Sequence, residues 1–111
     1  MADLRSLLEG VYTQVRRDES RELAQSVQAE LFRALAAVSP GLRDRGVKTA
    51  PFVVLISTEM PAILAEVSCL SDDREVVLLG DPRYRERIAG ALAEGIEGYA
   101  RSAAQVGQKG G

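Results

Sequence analysis

The sequence predicts an α/β fold, part of a three-layer arrangement in which a mostly parallel sheet is flanked by helices. Three observations carry this. Two apolar runs of strand length, 52–56 and 63–70, lie in the middle of the chain. Helical periodicity brackets them, giving the order helix, helix, strand, strand, helix, helix. The first run, Phe52-Val53-Val54-Leu55-Ile56, is continuous and β-branched, which suits a strand covered on both faces. Two strands are too few for a sheet, so the remaining strands are expected from sequence before residue 1.

Each element has its own signal. Leu4, Leu7, Leu8, Val11, Tyr12 and Val15 fall on one helical face and predict a helix over 3–16. Asp18-Glu19-Ser20 offers a break or a new N-cap. Leu23, Val27, Leu31, Leu35 and Val38 predict a second helix over about 20–38, stopped by Ser39-Pro40-Gly41. Residues 42–51 have no clean period and read as a loop. Ser57 to Pro61 reads as a turn or short crossover, and Ile63 to Leu70 as the second strand. Ser71-Asp72-Asp73-Arg74-Glu75 opens a short helix through Leu79, with Asp72 and Glu75 approximating a capping box. Gly80-Asp81-Pro82 ends that helix and caps the next, with Pro82 at its first position. The last helix carries Tyr84, Ile88, Ala91, Leu92, Ile96 and Tyr99 on one face. The domain reading is an N-terminal helical segment over 1–19, a main unit over 20–103, and a disordered tail over 104–111.

Composition narrows the function. The 111 residues carry 14 basic and 16 acidic side chains, a net charge of -2. That gives no long-range attraction for nucleic acid or anionic lipid. No stretch approaches the roughly 20 apolar residues of a membrane span. The opening Met-Ala-Asp-Leu-Arg is not a signal peptide, because its apolar positions are periodic rather than continuous. An exported protein's signal is therefore expected outside this chain. The single cysteine, Cys69, forms no intrachain disulfide. The chain has no histidine. That removes a Ser-His-Asp triad, and with it activation of Ser57 or Ser68. It also removes any histidine-containing zinc site, and Cys69 with carboxylates alone would be an atypical one.

One residue does not fit its surroundings. Glu66 sits among Ile63, Leu64, Ala65, Val67 and Leu70. Desolvating a carboxylate is costly without a partner. Glu66 is therefore on an exposed face, paired with a basic residue, or kept for chemistry as a general base. A side chain in bulk solvent, away from any concave surface, would remove the physical ground for the catalytic reading.

Four stretches taken together carry a resemblance. They are Ser20-Arg-Glu-Leu-Ala-Gln-Ser-Val-Gln-Ala-Glu-Leu; Leu42-Arg-Asp-Arg-Gly-Val-Lys with Ala50-Pro-Phe-Val-Val-Leu; Met60-Pro-Ala-Ile-Leu-Ala-Glu-Val-Ser-Cys-Leu-Ser-Asp; and Tyr84-Arg-Glu-Arg-Ile-Ala onward to Tyr99. In order and spacing they resemble the second half of the zinc-dependent N-acetylmuramoyl-L-alanine amidases, from about residue 20 to about residue 100.

The resemblance implies a peptidoglycan hydrolase that cleaves the amide between N-acetylmuramic acid and the L-alanine of the stem peptide. The setting it implies is the periplasm or cell wall. It also implies a zinc held by two histidines and a glutamate in the intact domain, with Glu66 in the position of the catalytic glutamate. Those metal ligands belong to the family's first half, so this chain is expected to bind no metal and to be inactive alone. Arg45 and Lys48 either face the substrate's carboxylates or anchor their loop, and Gly46 serves a tight turn. Cys69 and Asp72 stand where the family usually has Phe and Asn. The alternative is a non-catalytic scaffold, or a peptidoglycan-binding or regulatory module, derived from the same fold. The truncated-domain reading predicts an exposed sheet edge and self-association through it, whereas the module reading predicts a stable, monodisperse chain.

Overall fold

The computed structural model describes residues 2–56 and 58–109, without the side chains of Ala2, Val54, Gln108 and Lys109. Ser57, where the expected turn begins, lies outside the described residues, as do Met1 and Gly110-Gly111. Four helices follow one another: α1 (Ala2–Ala36), α2 (Val53–Ile56), α3 (Asp73–Leu79) and α4 (Pro82–Lys109).

The predicted α/β fold is not what forms. The described residues contain no strand and no sheet. The run expected as the first strand folds as the single turn α2. A short apolar run has the same periodicity as a buried helical segment, so its pattern alone does not choose between them. The run expected as the second strand, Ile63–Leu70, has no regular secondary structure and no ladder: 61–69 is irregular and Leu70 begins a turn. A strand is completed by its neighbour's N–H and C=O groups, unlike a helix, which satisfies its own backbone. With no sheet among the described residues, they offer no sheet edge for the chain to associate through.

The two N-terminal helices are one. Asp18-Glu19-Ser20 continues α1, because none of the three is Gly or Pro and Ser20 is not used as a cap. Its hydroxyl instead accepts from the Ala62 amide at 3.0 Å. The boundary drawn at residue 19/20 therefore falls inside a continuous helix. α1 ends at Ala36, two residues before the predicted limit. The Ser39 amide bonds back to the Leu35 carbonyl at 2.8 Å, and Gly41 then takes a positive φ of 84°. At the other end of the chain, α4 runs through 104–109, where the sequence predicts a disordered tail. Ala103, Ala104, Gln105 and Gln108 are all adequate helix formers, and Gly107 alone is too weak a breaker.

α1 and α4 pack antiparallel. Ser26 Oγ donates to the Gly95 carbonyl at 2.6 Å, and Arg87 Nη1 donates to the Ala34 carbonyl at 3.4 Å. As α1 advances eight residues, α4 retreats eight. The buried core between them is Val27, Leu31, Leu35, Tyr84, Ile88 and Ala91, with Leu23, Leu42, Ile63, Val67, Leu78, Leu79 and Leu92 packed around it. Each large apolar side chain fully buried contributes about 1.5–3 kcal/mol, so this is a small core for the chain's length. The predicted α4 face holds at Tyr84, Ile88 and Ala91 but not at Ile96, which is 52% exposed. Gly95 is buried in its place.

Gly95 sets the spacing of the pair. A Cβ there would stand 2.5 Å from Val27 Cα and 3.0 Å from Val27 N and Cγ2. Backbone therefore lies directly on backbone at this crossing, and only glycine fits. Gly95→Ala must push the helices apart, an overpacking cost of about 1–3 kcal/mol that exceeds the propensity gain of up to about 1 kcal/mol. Gly90, with nothing within 4 Å of its Cβ position, collects the gain alone. Thermal melts of the two variants should move in opposite directions, Gly95→Ala downward and Gly90→Ala upward.

Candidate functional site

The segment 61–69 crosses the outside of the α1–α4 pair and is held at both ends. Ser20 receives the Ala62 amide, and Glu75 Oε2 accepts from the Cys69 amide at 2.9 Å. Between these ends the side chains alternate. Ile63, Ala65 and Val67 turn inward and are half-buried, with Ile63 and Val67 against the core. Leu64 and Glu66 turn outward and are exposed. This is the period of two expected of extended chain.

Glu66 thus takes the first of its three expected environments, an exposed face. Among the described residues it has no hydrogen bond and no ion pair. Two shallow surface hollows accompany the helix pair. One, of about 350 Å³, is lined by Gln25, Gln28, Ala29, Asp44, Gly46 and Val47. The other, of about 320 Å³, lies between Val38, Leu78 and the start of α4. Glu66, Arg45 and Lys48 line neither. Being exposed, Glu66 pays no desolvation cost that a catalytic role would have to explain, and that role rests on the resemblance.

Arg45 and Lys48 lie in the loop after α1, both exposed. The loop has a built anchor that the sequence reading did not find. Asp44 Oδ1 accepts from Gln28 Nε2 at 2.7 Å and from the Gly46 amide at 2.8 Å. Gly46 takes a positive φ of 72°, the tight turn its glycine suggests. The Asp-x-Gly spacing was the available signal, since an Asp side chain readily bonds the amide two residues on. The Arg45 charge contributes weakly to lowering the Cys69 thiol. Neither Arg45 nor Lys48 has a hydrogen bond or ion pair among the described residues.

Around Cys69 the turn into α3 is well bonded. The Cys69 sulfur and the Ser71 hydroxyl are 2.9 Å apart. Asp72 caps α3, accepting from the Arg74 amide at 2.9 Å and the Glu75 amide at 3.4 Å. The capping box is not closed: Glu75 reaches Cys69 N rather than Asp72 N. At α4, Asp81 accepts from the Arg83 amide at 2.9 Å, with Pro82 first in the helix as expected. Zinc uses Cys, His and carboxylate donors in sets of three or four. The sequence has no histidine, and no three of these residue types gather among the described residues. The residues present do not fit a zinc site.

Two titrations follow. The Gln28 side chain, and then the Gly46 amide, hold the Asp44 carboxyl below the usual aspartate range. A depressed folded-state pKa stabilises the anchor above the unfolded value and loses that contribution as pH falls through the folded one. The Gly46 amide resonance should therefore titrate at lower pH than an ordinary aspartate, and not at all in Asp44→Asn. The Ser71 hydroxyl, and more weakly Arg45, lower the Cys69 thiol. Since the thiolate is the nucleophile, Ser71→Ala should slow iodoacetamide alkylation at neutral pH; an unchanged rate would remove Ser71 as the cause.

Comparison with known proteins reaches most of the chain. Residues 8–98 match the sequence profile of the family described as N-acetylmuramoyl-L-alanine amidase. The N-acetylmuramoyl-L-alanine amidase LytC of Bacillus subtilis is 34% identical over 82 residues, 74% of this chain and 16% of that protein. The amidase AmiA of Escherichia coli is 41% identical over 58 residues, 52% of this chain and 20% of that protein. An uncharacterized Bacillus subtilis protein, YqiI, is 34% identical over 82 residues, 74% of this chain and 37% of its own length. The chain thus spans little more than a third of these relatives at most. No solved structure matches. With more than half of its residues matched in one continuous span, the chain belongs to the N-acetylmuramoyl-L-alanine amidase family.

Proposed function

We propose that this chain supplies the proton-transfer portion of a peptidoglycan amidase, the part carrying Glu66, while the metal-binding portion lies elsewhere. The observation that supports this is the family match over 8–98, which contains Glu66 together with the Arg45–Lys48 loop. In this reading the bond cleaved joins N-acetylmuramic acid to the L-alanine of the stem peptide. Its setting is the periplasm or cell wall, where peptidoglycan lies. Zinc, bound by the histidine-bearing portion, supplies the polarised carbonyl and activated water when present. Glu66 takes and returns a proton as general base and acid. Its outward direction leaves it free to meet a second surface that carries the rest of the site. Arg45 and Lys48, both exposed cations, stand ready for the carboxylates of the stem peptide.

A second reading has its own support. With no histidine and an exposed Glu66 that lines neither of the two hollows described, the chain suits a non-catalytic module that binds peptidoglycan or regulates an amidase.

The experiment compares two samples. The chain alone, given zinc and a muramyl-peptide substrate, is expected to bind no stoichiometric metal and release no product. The chain joined with the histidine-bearing portion of a matched amidase is expected to hydrolyse, with Glu66→Gln slower by at least about 100-fold. Stoichiometric zinc and turnover by the chain alone would overturn the division of labour. An undiminished rate in Glu66→Gln would overturn the role of Glu66. Retention on purified peptidoglycan, with no hydrolysis in the joined sample, would favour the non-catalytic module.

A further inference from the structure

Glu66 shares its side of the chain with exposed apolar residues. Leu64, two residues before it, turns outward with it and is 53% exposed. Met60 and Leu70, at the two ends of the segment, are 65% and 78% exposed. Three large apolar side chains in water therefore flank one carboxylate, while Ile63, Ala65 and Val67 face the helix pair.

The backbone of the same stretch is unpaired as well. The amides from Ile63 to Ser68 bond to no group among the described residues. Only the flanking amides of Ala62 and Cys69 are held, by Ser20 and Glu75. Exposed apolar surface and unused backbone hydrogen-bonding groups thus coincide around Glu66, and both are relieved when a partner covers the segment. The stripe on the first half of α1, about 120° around the helix from Val27, is exposed too, but its backbone is already bonded within the helix.

We infer that Met60, Leu64 and Leu70 are the contact through which the histidine-bearing portion of an amidase docks on this chain, around Glu66. This contact presupposes the amidase reading and adds to it the residues that recognise the partner. A general base works within about 3 Å of the water it deprotonates. In extended chain the next side chain on the same face is only about 7 Å away. A surface that presents that water to Glu66 therefore lies on Leu64 too. A stable interface takes about 800 Å² from each partner, a patch about 30 Å across, and the stretch from Met60 to Leu70 is at most about 33 Å long. One such patch runs the length of the segment, and burying its apolar side chains favours the association. The partner follows from two facts. This chain has no histidine to complete a metal site. Most of the length of the matched relatives lies outside the span they share with it.

Hydroxyl-radical footprinting of the full chain, alone and joined to the histidine-bearing portion of a matched amidase, tests this. Met60, Leu64 and Leu70 are expected to be oxidised in the chain alone and protected in the joined protein, while Leu7 and Val11 on α1 stay reactive in both. Leu64→Gln is expected to lose the protection at Met60 and Leu70 with helical circular dichroism kept, because the exposed position leaves the α1–α4 core intact. Glu66→Gln is expected to keep the protection and lose hydrolysis. Met60, Leu64 and Leu70 left reactive in the joined protein would overturn the contact; if that protein still hydrolyses, the amidase reading stands without it. Protection in a joined protein that hydrolyses equally well with Glu66→Gln would support the contact and remove the catalytic role. Protection already complete in the chain alone would overturn the contact, since those residues would then be covered without the partner.

Discussion

Everything in this fold is referred to the place where Gly95 lies on Val27. With a Cβ position only 2.5 Å from the α1 backbone, the two long helices cannot slide or rotate without collision. The Ser26–Gly95 hydrogen bond fixes the same point from the polar side. The core residues above it, from Leu31 and Leu35 to Tyr84 and Ile88, inherit their facing from that crossing. Tyr99 lies on the other side of it, close enough to Glu19 and Glu22 for their charges, added to burial, to raise its hydroxyl. The segment 61–69 then lies across this pair rather than beside a strand. Its position is set by Ile63 and Val67 on the core and by single hydrogen bonds at its two ends.

The helical half of the structure was legible because helices are local. The stripe Leu23–Leu35, Pro82 as a first helical residue and Asp72 as a cap each state their role within a few residues. The strands were not legible as an outcome. Phe52–Ile56 and Ile63–Leu70 have strand composition, but a ladder is a property of two segments, and a single sequence says nothing of whether the second is present. Two further features depend on distant residues. Gly95 reads locally as a helix weakness and gains its meaning only from Val27. Ser20 reads as a cap and becomes a tether only because Ala62 arrives beside it. The α1 stripes were visible separately. Their continuity, and hence the rotation between them, depended on there being no break at Asp18–Ser20.

For the site, the sequence singled out Glu66 on a physical argument, costly burial, that its exposed position removes. Its apolar neighbours suggested burial; the alternation of Ile63, Ala65 and Val67 inward against Leu64 and Glu66 outward shows that only half of them share its environment. Family membership is secure through the match over 8–98. No histidine is encoded in these 111 residues, so a histidine-containing donor set for zinc is not among them. These facts fit together if the chain brings one wall of a site and its loop cations, held on a helix pair that folds around its own small core.

Backbone amide hydrogen exchange, resolved residue by residue, tests that account most directly. Slow exchange is predicted along 23–35 of α1 and 84–95 of α4, with fast exchange across Leu64–Ser68, whose amides have no backbone partner among the described residues. Protection of Leu64–Ser68 equal to that of the two helices would contradict it, because those amides would then be paired and the helix pair would not be the sole organising unit.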